Sequence, residues 1–338
     1  MTFRGKLLLL SLLAGLIPAL AASAQSREYK SLADLAVEKF ISQEALRLDV
    51  DYLSGPFCQG RGASQAGLGE AGLWEMRQFA SQKLIPMDGT MCQSFIAGGH
   101  VCHNIVGMIS ARIPSYLSNG RYLIVMAHYD NLGTLGGTFY PGADSNASGV
   151  AALLEVARMF QHMKSRKRTY ARGIIFAALD GKEKDLAGSR ELWRLIDQGK
   201  LLDPVSGTPI GKDQIMLVVN LDQLGATLAP LTKGNPNYLM MLSDSATLWR
   251  STLENANRDQ HIGLEIGYTY YGSADFTRLF YTRICDQRVF LEHEIPAVMF
   301  TSGITLNNNK ATDTPDTLDY PVMRKRIQLI FYWLDKVL

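Results

Sequence analysis

Four short segments place acidic or imidazole side chains where a strand ends: Ala127-His128-Tyr129-Asp130, Gly142-Ala143-Asp144-Ser145-Asn146-Ala147-Ser148-Gly149, Asp180-Gly181-Lys182-Glu183, and Asn220-Leu221-Asp222. Imidazole and carboxylate donors suit zinc, and three protein ligands with an open position mark a catalytic rather than a closed structural site. His128 is the nitrogen donor of this set, and Asp144, Glu183 and Asp222 are its oxygen donors. Asp130, two residues beyond His128, is placed to accept the other ring N–H and orient the imidazole, as metal-bound histidines require. Each residue alone has a plainer reading. His128 can be a buried histidine satisfied by backbone, and Asp144 or Ser145 can simply cap the helix that follows. The set points to a metal because its members recur at strand ends.

The positioning elements can be read from hydrophobic pattern. Leu123–Met126, Ile174–Leu179 and Ile215–Leu221 are apolar, β-branched runs of the kind found in buried parallel strands. In an open α/β sheet, ligands collect beyond the carboxyl ends of the strands, so segments far apart in the chain can converge there. The first run belongs to a strand expected over 121–127, and further strands are expected near 104–109, 238–242 and 297–300. Helices are expected at 70–83, after Gly149 (with Val150, Leu153, Leu154, Ala157 and Phe160 on one stripe), and at 186–196, 246–257 and 322–337. Ser31 and Ser42 read as N-caps of two earlier helices. Alternating strands and helices predict an α/β fold: a mostly parallel, mixed sheet wound with helices on both faces.

The chain opens with Arg4 and Lys6, an apolar stretch from Leu7 to Ile17, and then Ala22-Ser23-Ala24. That order predicts a cleaved signal peptide over residues 1–24 and an exported, periplasmic or secreted protein with no membrane attachment after cleavage. The remainder, 25–338, is expected to be a single domain with N-terminal helices over 31–83 packed on it. Arg4 and Lys6 are the only charges in the leader, so the net charge falls from +2 to 0 on cleavage, and no nucleic-acid partner is implied. The basic cluster from Lys164 to Arg168 follows a helix and reads as solvated. Four cysteines remain: Cys58, Cys92, Cys102 and Cys285. Ala97-Gly98-Gly99 between Cys92 and Cys102 is a hairpin-turn signal that could bring those two together, although the disulfide pairing is open. Cys102 beside His103 does not have the spacing of a zinc ligand pair.

At these residues the chain resembles the zinc aminopeptidases and their glutaminyl-cyclase relatives, in which two zinc ions share a bridging carboxylate. Gly60-Arg61-Gly62 is similar to a Gly-Arg signature of secreted members. The Gly142–Gly149 loop, Asn220-Leu221-Asp222, and Asp286-Gln287 before Glu294-Ile295-Pro296 also fit. The resemblance implies Asp144 as the bridge, His128 and Asp222 completing one site, and Glu183 in the other. It also exposes two departures. Lys182 stands where the family has its general-base glutamate, and Asn309 stands where it has the last histidine ligand, with no histidine beyond His293.

A general base contributes typically ~10²–10⁴-fold, and a protonated lysine cannot accept a proton. The resemblance therefore implies an exported zinc-dependent aminopeptidase-like hydrolase acting on peptide N-termini through a degenerate site. Of the one or two zinc ions, one is expected, at His128, Asp144 and Asp222. The alternatives are a non-catalytic member that binds peptide or glycan through the pocket, and, third, a glutaminyl cyclase-like transferase.

Overall fold

The computed structural model describes residues 41–63, 65–87, 89–112, 121–243, 247–270 and 272–338. The expected signal peptide and the helix capped by Ser31 lie outside the described residues. From Ser42 to Leu338 the chain forms one compact unit.

At its centre is a mixed sheet of nine described strands. β1 (Ile85–Pro86), β2 (Cys92–Ala97) and β3 (His100–Ile109) come first, followed by β4 (Tyr122–His128). A two-stranded ribbon, β5 (Gly133–Leu135) with β6 (Thr138–Tyr140), stands apart. β7 (Gly173–Leu179), β8 (Ile215–Leu221), β9 (Tyr238–Leu242), β10 (Glu265–Gly267) and β11 (Ala297–Thr301) complete the set. The strand order is β1-β3-β7-β4-β8-β11-β9-β10, with β2 on β3. β7, β4, β8 and β11 run parallel to one another, while β3 and β9 join antiparallel. Every residue of β4 and β7 is buried, as expected of strands covered on both faces.

The helices supply those covers. On one face α4 (Ala187–Asp197) and α7 (Gln287–Leu291) place Leu192, Ile196, Val289 and Phe290 against Tyr122, Ile124, Met126, Ile175 and Ala177. Alternate residues of the same strands face α3 (Gly149–Ser165), which packs on β4, β7 and β8 and against α8 (Tyr320–Val337). α1 (Gln43–Ser54) packs against α3 and α8, α2 (Ala66–Ser81) against β3, α5 (Thr247–Asp259) against α8, and α6 (Ala274–Arg283) against α7. Ser42 caps α1 as the sequence predicts, its hydroxyl accepting from the Ala45 amide. The short strands β1, β5, β6 and β10 and the helices α6 and α7 are too brief or too polar for periodicity to reveal.

The β2–β3 hairpin turns at Gly98 and Gly99, both at positive φ, which is the backbone state glycine tolerates. The same hairpin separates the two cysteines expected to meet across it. Cys92 lies opposite Ile105, whereas Cys102 lies opposite Phe95. Strand side chains alternate faces, so the two thiols point to opposite sides of the ribbon. All four cysteines are free thiols.

Candidate functional site

Parallel pairing of β4 with β8 brings their carboxyl ends together, and with them His128 and Asp222. The turn after β7 then inserts a third side chain between them. Lys182 Nζ lies 2.8 Å from His128 Nε2 and 2.8 Å from Asp222 Oδ2. Asp222 Oδ1 is 3.7 Å from the same imidazole nitrogen. His128 and Asp222 are 1% and 2% exposed, so this is an ion pair removed from water rather than a surface bridge.

Burial opposes the charge on Lys182, but Asp222 first, and Asp286 after it, outweigh burial and raise its pKa. In return, against the upward pull of burial, Lys182 holds the Asp222 carboxyl well below the usual carboxylate range. For His128, burial and the Lys182 charge oppose protonation, while the Asp130 and Asp222 carboxylates, as acceptors, favour it. A second proton on Nε2 would face the Lys182 ammonium donor against donor. The short contact instead needs a lone pair there, so the ring in this arrangement is neutral with its proton on Nδ1. Nδ1 is 3.0 Å from the Asp130 carbonyl oxygen and 3.6 Å from its carboxylate. Asp130 thus orients His128 through its backbone, and its carboxylate Oδ2 accepts from the Glu183 amide at 3.1 Å.

The other two expected donors are turned to different work. Asp144 Oδ1 accepts from the Gly225 and Ala226 amides at 2.8 and 3.2 Å and from Ser148 Oγ at 3.0 Å. Burial and the neighbouring Asp313 push its pKa up to about 7. Glu183 sits in the 3₁₀ turn Lys182–Lys184 with its side chain exposed. Asn309 is also exposed, at positive φ in a turn. Among the described residues, no three His, Cys, Asp or Glu side chains are placed to hold a metal ion. The structure gathers His128, Asp222 and Lys182; it does not gather Asp144 and Glu183 with them. Zinc bonds nitrogen and oxygen at about 2.0–2.2 Å, and the point between the imidazole and Asp222 is taken by the ammonium. The donor set in this arrangement does not fit a zinc ion.

Two motifs act as structural clamps. Asn146 Nδ2 donates to the His128 and Leu221 carbonyls at 3.2 and 3.0 Å, tying the ends of β4 and β8. Its Oδ1 accepts from the Gly149 and Gln223 amides at 3.1 and 2.9 Å. Arg61, fully buried, donates to the carbonyls of Tyr129 at 2.7 Å, Pro141 at 3.0 Å, Gly142 at 2.7 Å and Leu53. Asp313 holds the loop from below, accepting from the Asp144 and Ser145 amides at 2.8 and 3.0 Å.

Sequence reading left Cys285 and Asp286 without a role. Both border Lys182: burial pushes Cys285 up and Asp222 adds to it, and Asp286 accepts from Ser189 Oγ at 2.8 Å while its second oxygen has no hydrogen-bond partner. The Asp286-Gln287 motif was the signal that marked this segment, and only the packing of α7 beside β8 brings it to the cluster.

The sequence pattern described as Peptidase family M28 matches residues 104–334. Among curated proteins, BOS complex subunit ncln of Danio rerio is 35% identical over 126 residues, which is 35% of this chain and 21% of that protein. The chain therefore spans about a fifth of the length of that relative. Solved structures share the fold, among them the following. The Legionella pneumophila LapA aminopeptidase superposes with a TM-score of 0.67 at 18% identity, over 91% of this chain and 75% of that one. BSAP, a zinc aminopeptidase from Bacillus subtilis, gives 0.64 at 13%, over 88% and 95%. Porphyromonas gingivalis glutaminyl cyclase gives 0.61 at 15%, over 88% and 99%.

Proposed function

The chain belongs to peptidase family M28, and from that starting point we propose that it is an exported, non-hydrolysing member that binds peptide or peptide-like partners rather than cleaving them. One observation carries the reading: the Lys182 ammonium stands 2.8 Å from both His128 and Asp222. It does two things at once. It puts a cation of the protein's own between donors that would face a metal, and it puts a proton donor where hydrolysis needs a base. The buried acids are neutralised without any bound ion, so the fold keeps its shape without the chemistry.

Two further features support the reading. Glu183 and Asn309 are both exposed, and no group of three His, Cys, Asp or Glu side chains able to hold a metal ion is found among the described residues. The relative from Danio rerio is named as a subunit of a complex, which fits a role in binding a protein partner. Export is supported by the order of charge, apolar run and small residues over 1–24. Among the described residues no helix is long and apolar enough to cross a membrane.

The retained His128, Asp144 and Asp222 favour a second reading, a weakly active hydrolase holding one zinc. Zinc content after dialysis, measured with amino-acid release from unblocked peptides, separates the two. The proposal expects no retained zinc, no release, and calorimetric binding of such peptides without turnover. Zinc retained at one or two equivalents, together with turnover that Lys182→Glu/Asn309→His fails to raise, would overturn it.

A further inference from the structure

The β2–β3 ribbon carries a reactive-looking pair that the M28 site does not use. On one of its faces the rungs are Cys92–Ile105, Ser94–His103 and Ile96–Val101. Cys92 Sγ lies 3.4 Å from His103 Nδ1, within hydrogen-bond reach for sulfur, and Ser94 Oγ lies 3.0 Å from the same nitrogen. The imidazole is not loosely held. The His103 amide donates to Asp180 Oδ2 at 2.9 Å and its carbonyl accepts from Tyr129 Oη at 2.8 Å, so the backbone beneath the ring is clamped from two sides.

Access divides the cysteines. Cys58, Cys102 and Cys285 are buried, whereas Cys92 is half-buried. Beyond the pair, the same face ends in Ile96 and Val101, which are 77% and 63% exposed. A half-buried thiol, an imidazole nitrogen on a clamped backbone and an apolar rung therefore lie in sequence along one face of the ribbon.

We propose that Cys92 and His103 form a thiol–imidazole pair that undergoes exchange with disulfides carrying an apolar flank, giving a reversible mixed disulfide at Cys92. The thiolate is the nucleophile in such exchange. In the step, Cys92 gives its proton to His103 Nδ1 and its thiolate attacks one sulfur of the incoming disulfide. The incoming S–S bond breaks and the new Cys92 S–S bond forms, so Cys92 is oxidised and the departing half reduced. The leaving thiolate takes the proton back from His103. Ile96 and Val101 seat the apolar flank, and Ser94 competes with the thiol for Nδ1.

The test uses the full chain and 4,4′-dithiodipyridine, a neutral aromatic disulfide whose released thione is followed by absorbance. One fast thiol equivalent is expected out of four, reacting at least ~10-fold faster than free cysteine under the same conditions, in keeping with an activated thiol. Cys92→Ser removes that equivalent. His103→Gln, at an unchanged melting temperature, slows it at least ~10-fold, the lower range of base assistance. Ser94→Ala leaves the rate at or above that of the unaltered protein. The proposal is overturned if no fast equivalent exists, if it survives Cys92→Ser, if folded His103→Gln reacts as fast as the unaltered protein, or if Ser94→Ala falls to the His103→Gln rate. The stoichiometry of the unaltered protein decides the first point whether or not any variant folds.

Discussion

The loop Gly142–Gly149 and the turn Asp180–Asp185 both follow the pattern of a metallopeptidase site, yet they do opposite things. In the loop, Asp144, Ser145, Asn146 and Ser148 are all buried, and Asn146 and Asp144 spend their polar atoms on backbone amides and carbonyls. In the turn, Glu183, Lys184 and Asp185 are exposed, and Lys182 alone reaches inward to an ion pair. The loop holds strand ends in register, and the turn supplies a charge. Residues that resemble a catalytic motif can therefore persist for architecture, while the chemistry rests on the few whose side chains point into the site.

The comparison can be broken first at Asn146. Asn146→Ala leaves two buried carbonyls and two buried amides without their partner, at roughly 1 kcal/mol or more each. A loss of ~4 kcal/mol or more in urea unfolding is expected; a loss under ~1 kcal/mol would mean the loop is not the clamp described. At Lys182 the expectation is a signed cycle. Lys182→Met strands Asp222 as a buried unpaired charge and should cost about 3–5 kcal/mol. Lys182→Met with Asp222→Leu removes both charges and should recover most of that. If the double variant is no more stable than the single one, the pair is not the self-contained unit its distances imply.

The smallest effect separates the regions by pH. Asp144, raised to about 7, contributes stability that is fully present below its unfolded value near 4 and is lost as pH rises through about 7. Asp222, depressed, contributes stability that is present above about 4 and is lost only as pH falls below that. Lowering the pH from 8 to 5 should therefore raise the melting temperature through Asp144 while Lys182 and Asp222 keep their charges. Asp144→Asn should flatten that slope, and an unchanged slope would assign it to other buried acids such as Asp180, also raised to about 7.

Much of the fold was legible. β8 and β9 begin and end where their apolar runs do, and β7 starts one residue before its run, because a strand buried on both faces must be apolar at nearly every position. The helix after Gly149 showed its stripe for the complementary reason. Less of the site was legible. Hydrophobic runs placed His128 and Asp222 at strand ends, and the family resemblance marked Lys182 as the residue out of pattern. It could not tell that Asp144 turns to the Gly225 and Ala226 amides, that Glu183 faces solvent, or that Cys92 and Cys102 lie on opposite faces of their hairpin. Those outcomes depend on side-chain direction, which residue type does not encode.

Hydrophobic periodicity along the chain determined the wound sheet and the end of it at which polar groups gather, since burial is dictated locally by which positions are apolar. Which cation sits among those groups was decided only in three dimensions. A lysine four carbons long closes on an imidazole 54 residues away and a carboxylate 40 residues away, because the β7 turn aims it there and a charge buried without a partner is too costly to leave.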